Sequence, residues 1–180
     1  MAEPDPPAQD GPAAGERGAT ARLVRAAQRG DTLAMNDLLD ELAPFVGRIC
    51  APIALDDGPD AAQEALMVVF RSLRGLKEPA AVYGWVRTIA AREALRVARR
   101  AARAVPAELA ELPAPGDPQL GADIRDVLTR LSPEHRAVLV LRDLEGLDEA
   151  TAAERLGLRV GTVKSRLHRA RDTFRKAWSA

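Results

Sequence analysis

Side chains that commonly carry chemistry are scarce in this sequence of 180 residues. It contains one cysteine, Cys50, and two histidines, His135 and His168. These are too few for a tetrahedral zinc site, and a single cysteine cannot form an internal disulfide. No histidine is placed with Cys50 or a serine in a nucleophile-and-base pattern, and no glycine-rich loop could cradle a phosphate. We therefore expect no enzymatic activity, no cofactor and no metal, and we expect Cys50, in an apolar stretch, to be a small buried thiol.

Arginines and lysines offer a different chemistry, because cationic side chains bind the phosphates and base edges of nucleic acids. The 26 basic and 26 acidic residues cancel overall, but they alternate in blocks along the chain. Residues 31–64 and 104–154 are acidic, whereas residues 85–103 and 159–178 are basic. Charges act locally, within about 8 to 10 Å in salt. The pattern indicates two contacts with a polyanion and at least one contact with a basic partner.

The second basic segment follows the pattern of a helix-turn-helix. Ser132 and Pro133 begin a helix that Gly146 ends, and Asp148 begins a second helix that Gly157 ends. A long helix starts three residues later. Two helices joined by a short turn that contains glycine are typical of DNA-binding helix-turn-helix units.

A helical wheel divides this last helix into two faces. The apolar face, which we expect to be buried, holds Val163, Leu167, Ala170, Phe174 and Trp178. The other side could enter the major groove of DNA, and a basic surface helix packed on a small bundle is the alternative. The predicted DNA contacts are Gly161, Thr162, Lys164, Ser165, Arg166, His168 and Arg169.

Prolines divide the chain into segments. Residues 1–19 hold four prolines and almost no large apolar side chain, which predicts a disordered tail. Residues 104–121 hold four more, which predicts a linker, because proline fixes its own backbone and biases its predecessor away from helix. Two small domains remain, at 20–103 and 122–178.

Helical periodicity runs through the first domain. Thr20 and Asp31 are predicted N-caps of its first two helices, and a third helix runs from the turn at 57–59 to about Leu73. A fourth follows Pro79 and becomes rich in arginine. Because no segment shows sustained alternation, the sequence predicts an all-α fold. The expected apolar face of the third helix is Ala62, Leu66, Val69, Phe70 and Leu73.

At VGTVKSRLHRAR, preceded by LSPEHRAVLVLRDLEGLDEATAAERLGL, the second domain resembles region 4 of sigma-70 family transcription initiation factors, of the compact extracytoplasmic-function (ECF) type. The first domain is similar to region 2 of the same family. It carries Asp60-x-x-Gln63-Glu64-Ala65 at the start of a helix and, about twenty residues later, Tyr83-x-Trp85-Val86-x-x-Ile89-Ala90. The resemblance covers nearly all of 20–178. It implies a region 2-like helical bundle and a region 4-like helix-turn-helix, joined by the proline-rich linker.

The resemblance implies a factor that binds core RNA polymerase, recognises the minus-35 and minus-10 elements of promoter DNA and promotes promoter opening. The polymerase contacts would be the β′ clamp and the β flap, and an anti-sigma factor is a further possible partner. Region 4 would read the minus-35 element. The residues that the resemblance assigns to binding of the β′ clamp are Asp60, Gln63 and Glu64. The residues that it assigns to binding of the minus-10 element are Tyr83, Trp85, Arg92, Arg96, Arg99 and Arg100.

Several residues leave alternatives open. Asp60 could be a helix N-cap, and Trp85 fits the core better than a base-stacking role because it shares a helix with apolar neighbours. Family members usually carry Asn at the position of Arg92, often Phe at Leu76, and Gly-Asp at 78–79. These departures border the base-capture loop and put the efficiency of minus-10 melting in doubt.

Two other functions remain open: a helix-turn-helix regulator without sigma activity, and a sigma-like decoy that binds an inhibitor. No apolar run approaches the roughly 18 residues of a membrane-spanning helix, and the N-terminus lacks a basic region followed by an apolar stretch. We therefore expect a cytoplasmic protein without membrane insertion.

Overall fold

The computed structural model describes residues 14–104 and 120–178, and within these ranges its regular elements are helices. The predicted all-α class is confirmed. Short 3₁₀ turns at Leu55–Asp57, Leu73–Gly75 and Pro79–Ala81 and a π turn at Val140–Leu144 link some of the helices. The α-helices are α1 (Ala14–Gln28), α2 (Thr32–Ala54), α3 (Gly58–Ser72), α4 (Val82–Ala104), α5 (Leu120–Thr129), α6 (Pro133–Leu139), α7 (Glu149–Leu156) and α8 (Val160–Trp178).

The N-terminal bundle (residues 14–104) is built around α2, which packs against α1, α3 and α4. Asp31 caps α2 as predicted, and its carboxylate accepts hydrogen bonds of 3.0 Å from the backbone N–H groups of Leu33 and Ala34. The start of α3 lies close against α2, because a Cβ on Gly58 would be 2.9 Å from the Cα of Ala51. Glycine is needed there for this approach.

The first helix begins earlier than the sequence predicted. It starts at Ala14, so Thr20 lies inside α1 and does not cap it. Ala14, Glu16, Arg17 and Ala19 favour helix, and α1 continues through Gly15 and Gly18 in spite of their lower helix propensity. Thr20 is buried, and its hydroxyl donates a hydrogen bond to the carboxylate of Glu41. The rest of the predicted tail, residues 1–13, and most of the predicted linker, residues 105–119, lie outside the described residues.

The predicted apolar face of α3 is confirmed at Val69 and at Leu73, just after the helix, and is wrong at Phe70, while Ala62 and Leu66 are half-buried. The fully buried side chains are Ala61, Ala65, Val69 and Leu73, whereas Phe70 is 56% exposed. Because α3 packs against both α2 and α4, its small alanines fill the crevice between them. The larger apolar side chains of α3, those of Leu66, Met67 and Phe70, are half-buried or exposed at the edge of this crevice.

The C-terminal unit (residues 120–178) begins and ends its helices largely where the sequence predicted. Ser132 caps α6, and Asp148 caps α7 by accepting a 2.8 Å hydrogen bond from the N–H of Thr151. That bond, with a second from the Thr151 hydroxyl, lowers the pKa of Asp148. Gly157 ends α7 in the left-handed conformation, with φ of 65°. The sequence analysis missed α5, whose Val127 packs against α8 together with Leu131.

The N-terminal bundle and the C-terminal unit share one hydrophobic core. Helix α6 packs on α2 and α4, and α7 packs on α4. Val138, Leu141 and Val163 from the C-terminal unit join the same cluster as Ile49 and Val86 from the bundle. The sequence did not predict this contact.

Candidate nucleic-acid interface

Helix α8 presents a polar and basic face to solvent. Val163, Leu167 and Ala170 are buried, as the helical wheel predicted. Phe174 is half-buried, and Trp178 is 46% exposed, so the buried face does not extend to the end of the helix. The two rings stack, with centroids 6.0 Å apart. Of the predicted DNA contacts, Thr162 and Arg166 are half-buried, and the exposed ones are Gly161, Lys164, Ser165, His168 and Arg169.

The charges of α8 fall into two groups. Arg171 is held against the π turn at Val140–Leu144, because its Nε donates to the carboxylate of Asp143 at 3.1 Å, and this hydrogen bond raises the pKa of Arg171. At the end of the helix, Lys176 pairs with Asp172. Lys164 and Arg169 take part in none of the ion pairs of α8 among the described residues. Their charges remain directed outwards.

The first turn of α6 adjoins this basic face. Burial lowers the pKa of His135, and the positive charges of Arg166 and then Arg169 lower it further, while the carboxylate of Glu134 acts in the opposite direction. A neutral His135 beside two arginines adds no further repulsion to the basic face.

The arginines of α4 line an open cavity of about 580 Å³ beside Leu156 of α7. Each of the four arginines predicted to bind minus-10 DNA already has a hydrogen-bond or ion-pair partner within the chain. Arg96 and Arg100 pair with Glu64, and Arg99 pairs with Glu134 at 2.7 Å. Arg92 donates to the backbone carbonyl oxygens of Arg155 and Glu154, at 2.7 and 3.3 Å.

The aromatic residues at the start of α4 are half-buried. The ring of Tyr83 meets Phe45 edge-on, with centroids 5.2 Å apart, and its hydroxyl donates to Glu41 at 2.9 Å. Trp85 packs against the hydrophobic core. The loop before α4 is held in place because the side-chain amide of Gln28 donates to the carbonyl oxygens of Leu73 and Leu76.

The three predicted polymerase-binding residues are neighbours on α3, but they differ in exposure and pairing. Asp60 and Gln63 are exposed on α3, whereas Glu64 turns towards the arginines of α4. Asp60 lies within the first turn of α3; the N-cap position belongs to Asp57, which makes no side-chain cap bond.

A groove between α2 and α3 was missed by the sequence analysis. It encloses about 620 Å³ and has a mainly apolar lining. The signal was available, because apolar residues cover more of the circumference of α3 than one buried face requires. The lining includes Leu39, Ala43, Pro59, Ala62, Leu66, Met67 and Phe70, with Asp40, Gln63 and Arg71 among them.

The remaining chemistry-bearing groups are structural. Cys50 is buried and its Sγ lies 3.7 Å from the carbonyl oxygen of Ala90; burial, with a smaller contribution from Glu93, raises the pKa of the thiol to about 12. Among the described residues, no group of three or more His, Cys, Asp or Glu side chains could hold a metal ion. None of the described helices is long and apolar enough to span a bilayer.

Comparison with known proteins shows a likeness to one family of transcription factors. The model of sigma-70 region 4 matches residues 122–174. The ECF RNA polymerase sigma factor SigE of Mycolicibacterium smegmatis is 34% identical over 163 residues, which cover 81% of this chain and 63% of that protein. The chain is therefore similar to ECF sigma factors of the sigma-70 family. The ECF RNA polymerase sigma-E factor of Escherichia coli K12 is 29% identical over 175 residues, covering 84% of this chain and 90% of that protein.

Solved ECF-type structures share the fold. The structure of CnrH in complex with the cytosolic domain of CnrY has a TM-score of 0.60 at 23% identity and covers 88% of this chain and 96% of that chain. The sigma factor RpoE of Bartonella quintana, in complex with the anti-sigma factor NepR, has a TM-score of 0.62 at 23% identity and covers 80% of this chain and 98% of that chain. The chain thus spans 63% of the M. smegmatis relative but nearly the full length of these two solved chains.

Proposed function

We propose that this chain is an ECF sigma factor that binds core RNA polymerase, directs it to promoters through a minus-35 and a minus-10 contact, and promotes strand opening. The observation that carries the proposal is the outward polar and basic face of α8, supported from beneath by the buried side chains of Val163, Leu167 and Ala170. The chain acts by binding, in the cytoplasm, and supplies no covalent chemistry of its own.

The minus-35 contact is assigned to α8. Lys164 and Arg169 are exposed donors that reach guanine O6 and N7 or phosphates, and the shorter Ser165 and His168 suit base edges. Gly161 and Thr162 lie in the first turn, at the positive end of the helix dipole, where a phosphate is favoured. The half-buried Arg166 suits a phosphate contact. Because phosphate contacts release counterions, we expect the affinity to fall steeply with salt.

Replacing Arg169 by alanine tests whether this residue reads a base. We expect the holoenzyme to lose about 1 to 3 kcal/mol of discrimination at one position of the minus-35 element, because a bidentate donor to guanine is removed. The measurement is competition binding between a minus-35 duplex and its single-base variants. The matched control is Arg175→Ala, whose guanidinium is paired with Asp172 near the far end of α8. An equal loss on all sequences would make Arg169 a phosphate contact.

The minus-10 contact is assigned to the start of α4 and its arginines. Arg92, Arg96, Arg99 and Arg100 form a basic stripe suited to tracking a separated DNA strand. Tyr83, in the first turn of α4, is the proposed contact for an unstacked base. Trp85 supports that surface from the core.

The polymerase contact is assigned to the groove between α2 and α3. Its apolar lining suits the hydrophobic face of a helix. Asp40 and Gln63 in that lining, with the exposed Asp60 next to Pro59 in sequence, suit basic or polar side chains on that helix. A basic, helical element of the β′ clamp has this chemistry. Glu64 contributes indirectly, by pairing with Arg96 and Arg100 and so fixing α3 against α4. The β flap is the proposed partner of the C-terminal unit.

The two solved neighbours are complexes of a sigma factor with NepR and of CnrH with the cytosolic domain of CnrY. We propose that a separate anti-sigma factor likewise restrains this chain.

A further inference from the structure

We propose that Gln28 is a positioning residue for minus-10 recognition, which holds the loop at residues 73–81 in the conformation that distinguishes the bases of that element. The inference rests on the proposed function, because it takes the start of α4 as the site that captures a minus-10 base. Gln28 itself does not contact DNA. It acts through the backbone of the loop, to which its side-chain amide is hydrogen-bonded.

The side-chain amide of Gln28 closes the first turn of the loop. Its Nε2 donates to the carbonyl oxygen of Leu73 at 2.9 Å and to that of Leu76 at 2.8 Å. The carbonyl oxygen of Leu73 also accepts the backbone N–H of Leu76, at 3.0 Å. The two N–H groups of one amide thus join both ends of the turn. Opening the turn breaks at least one of these three hydrogen bonds.

The end of α1 that carries Gln28 is itself fixed. The N–H of Gly30 donates to the carbonyl oxygen of Ala27 at 3.0 Å. The N–H of Asp31 donates to the carbonyl oxygen of Ala26 at 3.2 Å, which completes a Schellman cap, and Gly30 has the positive φ of 98° that this cap requires. Asp31 then caps α2 with its side chain. Gln28 therefore projects from a fixed corner between α1 and α2.

The rest of the loop packs on the same helix. Its two 3₁₀ turns, Leu73–Gly75 and Pro79–Ala81, both contact α1. The carboxylate of Glu78 caps the second turn by accepting the N–H of Ala80 at 3.1 Å. Helix α1 therefore supports the loop at both turns, and the hydrogen bonds of Gln28 fix the first of them.

The loop leads directly into the proposed base contact. Tyr83 follows the second turn by two residues, which span at most about 7 Å, so a base stacked on Tyr83 lies within reach of the loop. The ring of Tyr83 meets Phe45 edge-on, and its hydroxyl donates to Glu41 at 2.9 Å. Helix α2 thus positions the stacking ring, while α1 positions the loop beside it.

Stacking and selection are separate tasks at such a site. Every base has a π face, so stacking on an aromatic ring tolerates all four bases. Distinguishing the bases requires donors and acceptors that meet the base edge, and the loop is the adjoining segment that can supply them. Such groups discriminate only when they are held within about 0.5 Å of their productive positions. Because Gln28 supplies that constraint, its loss lowers selectivity more than affinity.

The test compares selectivity at the minus-10 element with two reference measurements on the same holoenzyme, which is assembled from the full chain and bacterial core RNA polymerase. The template is a promoter whose start has been mapped with the wild-type chain. Its minus-10 element is randomised, and each template carries a barcode in the transcribed region. Sequencing the transcripts gives the discrimination at each minus-10 position. Discrimination at the minus-35 element and competition for core polymerase are the reference measurements.

Gln28→Met keeps the length of the side chain and removes both donors. We expect about tenfold less discrimination at one or two adjacent minus-10 positions, with both reference measurements unchanged. Gln28→Lys restores a donor for the two carbonyl oxygens and should recover most of the discrimination. Asn36→Met is the matched control, because it makes the same change from amide to methionine at an exposed position of α2. We expect that variant to select bases as the wild type does.

Circular dichroism establishes that each variant is folded. Gln28→Glu, which exchanges the donors for acceptors in the same shape, decides the question if Gln28→Met does not fold. Folded variants that select the minus-10 element as well as the wild type overturn the role of Gln28. An equal loss in the reference measurements, or a Gln28→Lys variant that recovers nothing, also overturns it, because either result marks a merely structural residue. A wild-type holoenzyme that initiates nowhere overturns the proposed function instead, and this inference with it.

Discussion

Replacement of Arg136 by alanine is expected to lower the free energy of unfolding by about 3 to 5 kcal/mol. The residue is 6% exposed, and its Nε donates to the carbonyl oxygen of Ile53 at 2.8 Å. Its Nη1 donates to the carbonyl oxygens of Leu131 and Leu128, at 2.7 and 3.3 Å. One guanidinium therefore joins the end of α2 to α5 and α6. Its removal leaves buried acceptors without partners, each at a cost of about 1 to 3 kcal/mol.

Urea unfolding followed by circular dichroism measures this loss. The control is Arg130→Ala. Arg130 lies in the same unit, and its ion pair in the part of the chain that the structure describes is with Asp126, one helical turn away. Since exposed ion pairs contribute little, we expect that variant to lose less than about 1 kcal/mol. Equal losses for the two variants would show that the hydrogen bonds of Arg136 do not hold the units together.

Replacement of Phe70 by aspartate is expected to weaken association with core RNA polymerase about 30-fold, or ~2 kcal/mol. Phe70 is an exposed aromatic residue in the lining of the groove between α2 and α3. Buried aromatic anchors dominate the energy of protein interfaces, and an aspartate there would have to be desolvated without a partner. The fold should be little affected, because the buried face of α3 is formed by other residues.

Competition against a labelled reference factor for core polymerase measures this effect. Leu33→Asp is the control, because Leu33 is 74% exposed on α2 and lies outside the groove lining. We expect that variant to compete as well as the wild type. Unchanged competition by Phe70→Asp would remove the groove from the polymerase interface.

Local chemistry explains what the sequence could predict. Asp31, Ser132 and Asp148 begin helices because each can accept hydrogen bonds from backbone N–H groups two or three residues ahead. Gly157 ends α7 because glycine readily adopts a positive φ. These signals act within a few residues, so they are visible without the fold. The inward face of α8 was predictable from its periodicity as far as Ala170, but periodicity could not show that burial stops short of Trp178.

The arrangement of the candidate site depended on contacts that periodicity does not encode. Arg92 was recognisable as a departure from the family pattern, but its partners lie more than sixty residues away, at the end of α7. Glu64 was grouped with Asp60 and Gln63, yet it faces α4 because α3 packs on two sides. The groove was missed for the same reason, since the wheel could not show which apolar face of α3 would be covered.

Reconstituted transcription tests the central claim most directly. The purified chain is added to bacterial core RNA polymerase with fragmented genomic DNA, and the 5′ ends of the transcripts are mapped. We predict starts preceded by two sequence elements at a fixed spacing, absent without the chain and reduced by Phe70→Asp. If the chain binds DNA by itself but no transcript starts depend on it, it is a DNA-binding protein without sigma activity and the account is contradicted.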